Sequence, residues 1–119
     1  MTQPTQEQLK ILIDLYQSGK LDEAEGKVQN LLKQFPENTT CLNVLGVILD
    51  RKGQTEEAIK IYQKALQINE NSPETHFNVG SILHRLGRSN EARISYEKAI
   101  SLKSDFLNAL IDFDISNFL

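Results

Sequence analysis

Residues 53–62 read Gly-Gln-Thr-Glu-Glu-Ala-Ile-Lys-Ile-Tyr, and the same outline stands at 19–28 (Gly-Lys-Leu-Asp-Glu-Ala-Glu-Gly-Lys-Val) and at 87–96 (Gly-Arg-Ser-Asn-Glu-Ala-Arg-Ile-Ser-Tyr). Glu23-Ala24, Glu57-Ala58 and Glu91-Ala92 therefore recur every 34 residues, as do Gly19, Gly53 and Gly87. Leu15, Leu49 and Leu83 hold a third register, Val28, Tyr62 and Tyr96 a fourth, and Leu31, Ala65 and Ala99 a fifth. Such agreement marks a tandem array. Each repeat is one supersecondary unit that buries its apolar face only by stacking on its neighbours.

Working outward from that stretch, apolar residues recur at intervals of three and four, the mark of amphipathic helices. Leu42, Leu45 and Leu49 form one stripe, and Ala58, Ile61, Tyr62, Ala65 and Ile68 the next. Each unit thus holds two helices, separated at the recurring glycine, which takes the left-handed conformation that closes a helix with little strain. Thr5 with Gln8 reads as a capping box, Ser72 precedes a first-position Pro73, and Thr55 and Ser89 open second helices. The spacing predicts first helices near 5–18, 39–52 and 73–86, second helices near 21–34, 55–68 and 89–102, and a seventh helix from about Asp105. Small residues at Gly46, Gly80, Ala58 and Ala92 let paired backbones approach toward the close end of the ~8 to 10 Å range.

Composition narrows the functional classes. The chain has 119 residues, 39% hydrophobic and 24% charged, with three prolines and six glycines, which is ordinary for a folded domain. A net charge of -3 with no basic stripe argues against nucleic acid. The longest apolar run, Val44 to Leu49, is broken at Gly46 and followed by Asp50 and Arg51. It falls far short of the ~20 residues of a membrane span. A polar N-terminus without a secretory start and a lone Cys41 fit a reducing cytoplasm.

These residues resemble the tetratricopeptide repeat, whose first helix carries a large residue, then Leu-Gly, then a large residue, and whose second carries Ala, an aromatic, Ala and often Pro. The second unit reads Leu42, Leu45-Gly46, Leu49, then Ala58, Tyr62, Ala65; the third reads His76, Val79-Gly80, Leu83, then Ala92, Tyr96, Ala99. The first unit departs from the pattern, with Gln8, Ile11-Leu12 and Leu15, then Val28 and Leu31, yet it alone keeps the closing proline, Pro36. Glu70 and Ser104 stand where the other units would have one. The resemblance implies an all-α, right-handed superhelical solenoid of antiparallel helix pairs. Its repeats lie at about 5–38, 39–72 and 73–106, with a terminal helix over 107–119, and 1–119 forms a single domain.

The resemblance also implies a protein-interaction scaffold whose first helices line a concave groove that holds a peptide or partner helix. The first-helix faces left over from the core stripe carry Leu9, Ile13, Tyr16 and Gln17, then Asn43, Val47, Asp50 and Arg51, then Phe77, Ser81, His84 and Arg85, each set on one side of its helix. Competing readings put Phe77 in packing between neighbouring first helices and leave Arg51 and Arg85 solvated. One subset of the family grips the C-terminal carboxylate of heat-shock chaperones, but the corresponding positions here are Leu9, Ile13, Val44, Glu74 and Asn78. None of the clamp residues is kept, so an apolar or amphipathic helix is the expected occupant.

Catalysis and cofactors find no foothold in the pattern. His76 and His84 are eight apart rather than four, and no further His or Cys joins them, so no metal site is expected. Cys41 lacks a His within one turn to activate it, and Glu56-Glu57 sits at a helix N-terminus, where its charge favours the dipole. The chain is expected to be no enzyme and to carry no cofactor.

The last segment, from Asp105, is unusually apolar for the end of a solenoid, which normally presents a polar outer face. Phe113, Ile115, Phe118 and Leu119 cannot all face one neighbour, so self-association as a homo-oligomer through the C-terminal helix is one expectation. Two readings stand beside each other: a free-standing adaptor, or the N-terminal recruiting arm of a larger bacterial enzyme such as a glycosyltransferase, sulfotransferase or methyltransferase.

Overall fold

The structure, a computed structural model, describes residues 3–102, within which there are six helices and no strand. They are α1 (Gln6–Gln17), α2 (Leu21–Gln34), α3 (Thr39–Arg51), α4 (Thr55–Ile68), α5 (Pro73–Arg85) and α6 (Ser89–Leu102). The second helices match the sequence expectation residue for residue. The first helices end one residue earlier than expected, because Ser18, Lys52 and Leu86 are C-caps with ψ near 0°. The terminal helix, with Phe113, Ile115, Phe118 and Leu119, lies outside the described residues.

One turn is used three times. After α3, the Gly53 N–H donates to the Asp50 carbonyl at 3.0 Å and the Gln54 N–H to the Leu49 carbonyl at 2.8 Å. This is the crossed pair of hydrogen bonds that closes a helix through a left-handed residue. Gly53 accordingly sits at φ 83°, and Gly19 and Gly87 at φ 78° and 79° with the same hydrogen bonds. The residue after the glycine at once becomes the start of the second helix: the carbonyls of Lys20, Gln54 and Arg88 accept from Ala24, Ala58 and Ala92 at 2.9, 3.0 and 2.9 Å. The Glu-Ala register thus follows from the turn, Ala being the first residue bonded back to it.

First helices are capped by side chains, and α2 and α4 are not. Thr5 and Gln8 form the expected capping box, Asn38 Oδ1 accepts from the Cys41 N–H at 2.9 Å, and Ser72 Oγ from the Thr75 N–H at 3.3 Å with Pro73 beside it. Thr55 does open α4, but its hydroxyl donates to Asp50 Oδ1 at 3.1 Å, and Gln54 makes no side-chain cap. The turn hydrogen bonds and the acidic first turns of α2 and α4 take over the role of a cap.

The described chain divides into two compact units, the first spanning Met1–Glu70 and the second beginning at Asn71. In the first, α1 packs on α2, α2 on α3 and α3 on α4, around a core that includes Leu12, Val28, Leu31, Leu42, Ile48 and Tyr62. In the second, α5 packs on α6 over Ile82, Ala92, Tyr96 and Ala99. The α3/α4 and α5/α6 pairs each close on an aromatic slot. A Cβ on Gly46 would fall 2.6 Å from Tyr62 Cζ, and one on Gly80 would fall 2.8 Å from Tyr96 Cδ1, so the ring lies directly on bare backbone.

The first repeat reaches the same closure with different residues. Leu12 and Val28 hold the registers of Gly46 and Tyr62, and both are fully buried. Leucine with valine moves bulk from the second helix to the first, and its summed side-chain volume exceeds that of glycine with tyrosine by about two methylenes, so the slot is filled from the other side rather than at constant volume. The departure of the first repeat from the pattern is thus a compensated one.

Gly26, by contrast, has no packing reason. It lies exposed within α2, and a Cβ there would meet nothing within 4 Å. Relative to alanine, a mid-helix glycine costs about 0.5 to 1 kcal/mol. Gly26→Ala is expected to raise the free energy of unfolding in urea by that amount, and a loss would mean that the α2 surface is occupied.

Candidate functional site

On α3 the expected stripe of Leu42, Leu45 and Leu49 is buried and on α1 Leu12 is, while Ile11 beside it is 42% exposed and His76, Val79 and Leu83 of α5 are half-buried; the residues left over define the candidate surface. On α1, Leu9 and Tyr16 are half-buried, while Ile13 is 37% exposed and Gln17 is exposed. On α3, Asn43, Val47 and Asp50 are half-buried and Arg51 is exposed. Helices α1 and α3 touch directly, so these two faces adjoin within the first unit.

Two of the expected residues meet. The Arg51 guanidinium carbon lies 4.9 Å from the centroid of the Tyr16 ring, a cation–π contact that fixes the long arginine side chain at its charged end. Among the described residues Arg51 forms no ion pair. Its neighbour Asp50 faces a different task, since its carboxylate accepts from Thr55 and ties α3 to the start of α4.

The second unit is arranged otherwise. Phe77 packs on Tyr96 of its own helix pair, with ring centroids 5.6 Å apart and planes tilted by 48°. The Tyr96 hydroxyl donates to Ser81 Oγ at 3.5 Å. Phe77 and Ser81 therefore hold α6 as well as lining α5, while His84 is half-buried and Arg85 exposed.

Sequence reasoning missed one feature. Lys52 Nζ donates to Asp22 Oδ1 and Glu25 Oε1, both at 2.7 Å, joining α2 to the end of α3. Asp22 and Glu25 are three apart on one helix face, and Lys52 stands where the other repeats hold Ser18 and Leu86; that register break was the legible signal. The hydrogen bond from Lys52 and its charge hold the Asp22 carboxyl below the usual carboxylate range, and the hydrogen bonds that Lys52 donates to Asp22 and Glu25 raise its ammonium.

The sign of the pH effect follows. A depressed Asp22 stabilises the fold above the unfolded carboxylate value of about 3.9, and that contribution is lost as pH falls through the lower folded value. The Tm difference between the native chain and Asp22→Asn is expected to be constant from about pH 5 to 8 and to close on acidification below about pH 4. A difference that persists at pH 2 would assign the effect to something other than the charge.

Among the described residues no group of three or more His, Cys, Asp or Glu could hold a metal ion, and no helix is long and apolar enough to cross a membrane. Cys41 is fully buried, and burial pushes its thiol up to about 11, so little thiolate exists at neutral pH.

Comparison with known proteins fits this geometry. A profile described as TPR repeat matches residues 46–87, and one described as tetratricopeptide repeat matches 73–106. No curated protein sequence matches the chain. Among solved structures, MamA of MSR-1 is 26% identical with a TM-score of 0.67, over 80% of this chain and 55% of that one. The chain thus spans little more than half of MamA. The Yersinia enterocolitica type III secretion chaperone SycD, in complex with a peptide of the translocator YopD, is 23% identical with a TM-score of 0.77, over 89% and 83% of the two chains. The first TPR of Spaghetti (RPAP3), bound to the HSP90 peptide SRMEEVD, is 19% identical with a TM-score of 0.73, over 87% and 85%. At these identities the last two share the fold alone.

Proposed function

We propose, from the premise that this chain belongs to the tetratricopeptide repeat family, that it is a protein-interaction scaffold that holds a peptide or partner helix on the exposed faces of its first helices. One observation carries the reading: the adjoining faces of α1 and α3 leave Leu9, Ile13 and Val47 partly exposed beside Tyr16 and Arg51, apolar area with a charged end that no core contact requires. An amphipathic helix laid there would bury its apolar stripe against these side chains. SycD and the first TPR of RPAP3 were solved with peptides bound, which supports peptide binding as a use of this fold. The work is binding rather than chemistry, and a buried thiol with a raised pKa is in keeping with that.

The test uses 12-residue peptides selected from a random displayed library on the immobilised full chain. Ile13→Asp is expected to weaken the best peptide by about tenfold or more, because a carboxylate would have to be buried against apolar partner atoms. The control is Ile94→Asp, at a site 65% exposed on α6, which is expected to leave affinity unchanged. Equal affinities for all three proteins would place binding off the α1/α3 face and remove this reading.

A further inference from the structure

We infer that Arg51, held on the Tyr16 ring, is a reader of acidic side chains: the partner segment carries an Asp or Glu beside the apolar residue that packs on Ile13 and Val47. The inference rests on the binding reading above and specifies its ligand.

Arg51 forms no ion pair among the described residues, unlike Lys52 beside it. Lys52, the next residue, spends its charge on Asp22 and Glu25 at 2.7 Å, and Arg88 forms a two-pronged pair with Glu91 at 2.9 and 2.6 Å. Arg51 has no such partner among the described residues; its contact is an aromatic ring. A ring contact restrains the guanidinium without using the planar fork of N–H donors that a carboxylate takes bidentately. Restraint matters for affinity, because an arginine already fixed at its charged end loses less side-chain freedom on binding than a free one.

Placement gives the second half. Arg51 lies one turn beyond Val47 on the same face of α3, and Tyr16 lies one turn beyond Ile13 on α1. The ring and cation therefore close one end of the apolar strip, and a ligand whose apolar side chain lies on the strip presents its next helical turn to Arg51. The one adjacent acid on this face, Asp50, is engaged by the Thr55 hydroxyl at 3.1 Å. The chain as a whole is acidic, with a net charge of -3, so long-range attraction does not recruit an acidic segment; the selectivity is local. Nor is this a C-terminal carboxylate clamp, since Leu9, Ile13, Val44, Glu74 and Asn78 stand at the clamp positions.

Peptides of 12 residues are selected on the native chain and on Arg51→Gln, and the best native binder is remade with each acid changed to its amide. Native selections are expected to be enriched in Asp or Glu within one helical turn of Leu, Ile or Phe, and Arg51→Gln selections are expected to keep the apolar residue and lose the acid. One acid-to-amide change should weaken binding to the native chain about tenfold, in line with a charge-assisted pair, and should not affect binding to Arg51→Gln. Arg51→Lys, which keeps the charge and loses the fork, should fall between the two. Apolar peptides without acid enrichment, sensitive to Ile13→Asp, would overturn this inference and leave the binding surface standing. Peptides insensitive to Ile13→Asp, or no peptide above background, would overturn both.

Discussion

Gly46→Leu is expected to destabilise the first unit by about 3 kcal/mol or more, the upper part of the range for overpacking a filled core. The reason is geometric: the first carbon of any side chain at position 46 would already lie 2.6 Å from Tyr62 Cζ, and the ring, 2% exposed, has no free volume to move into. Tyr62→Val alone is expected to cost about 2 to 4 kcal/mol through the cavity it leaves. Together they install at positions 46 and 62 the pair that the first repeat carries as Leu12 and Val28. The double variant is larger in sum by about two methylenes, so it should recover part of the two losses and stay about 1 to 3 kcal/mol below the native chain, the cost of mild overpacking. Urea unfolding of the four proteins gives the coupling energy directly. Additive losses would show that bulk at position 46 does not fill the space that Tyr62 leaves, and that the first repeat closes by some other arrangement.

Leu12→Ala is expected to cost about 2 to 5 kcal/mol, the usual range for a fully buried leucine, and Leu12 is 0% exposed. It is the only buried residue of α1, so this helix is attached by one large anchor supplemented by half-buried Leu9, Leu15 and Tyr16. In a repeat array, stability is a sum of repeat and nearest-neighbour terms. The loss should therefore appear as faster amide exchange in α1 and α2 first, and less in α4. Uniform acceleration through α1 to α4 would mean that the first unit opens as one body. Loss of α1 would also remove Ile13 and Tyr16 from the candidate surface, so the same variant should lose peptide binding at denaturant concentrations where α3 and α4 remain folded.

How much of this was written in the chain differs by level. Helix positions were legible because the turn is encoded locally. One glycine at φ near 80°, two crossed hydrogen bonds and a Glu-Ala pair four residues into the next helix repeat with the period, and none depends on a distant partner. The face of each first helix was legible for the same reason, since 3.6 residues per turn assigns sides without knowing the neighbours. The starts of α4 at Thr55 and α6 at Ser89 were legible as well, but what the Thr55 hydroxyl does was not. Thr55 has a capping residue's identity, but the preceding turn places it one position inside the helix, where its hydroxyl finds Asp50 instead.

The sequence by itself determined the period, the helix pairs, their core stripes and the absence of the carboxylate-clamp residues, because these rest on contacts within about one turn or on residue identity alone. Tertiary structure decided which side chains meet: Arg51 on Tyr16, Phe77 on Tyr96, Lys52 between Asp22 and Glu25, and the rings of Tyr62 and Tyr96 over bare glycine backbone. Those partners are 16 to 35 positions apart in the chain, and no periodicity fixes a rotamer or a distance across helices; only the packing of one helix on the next selects them.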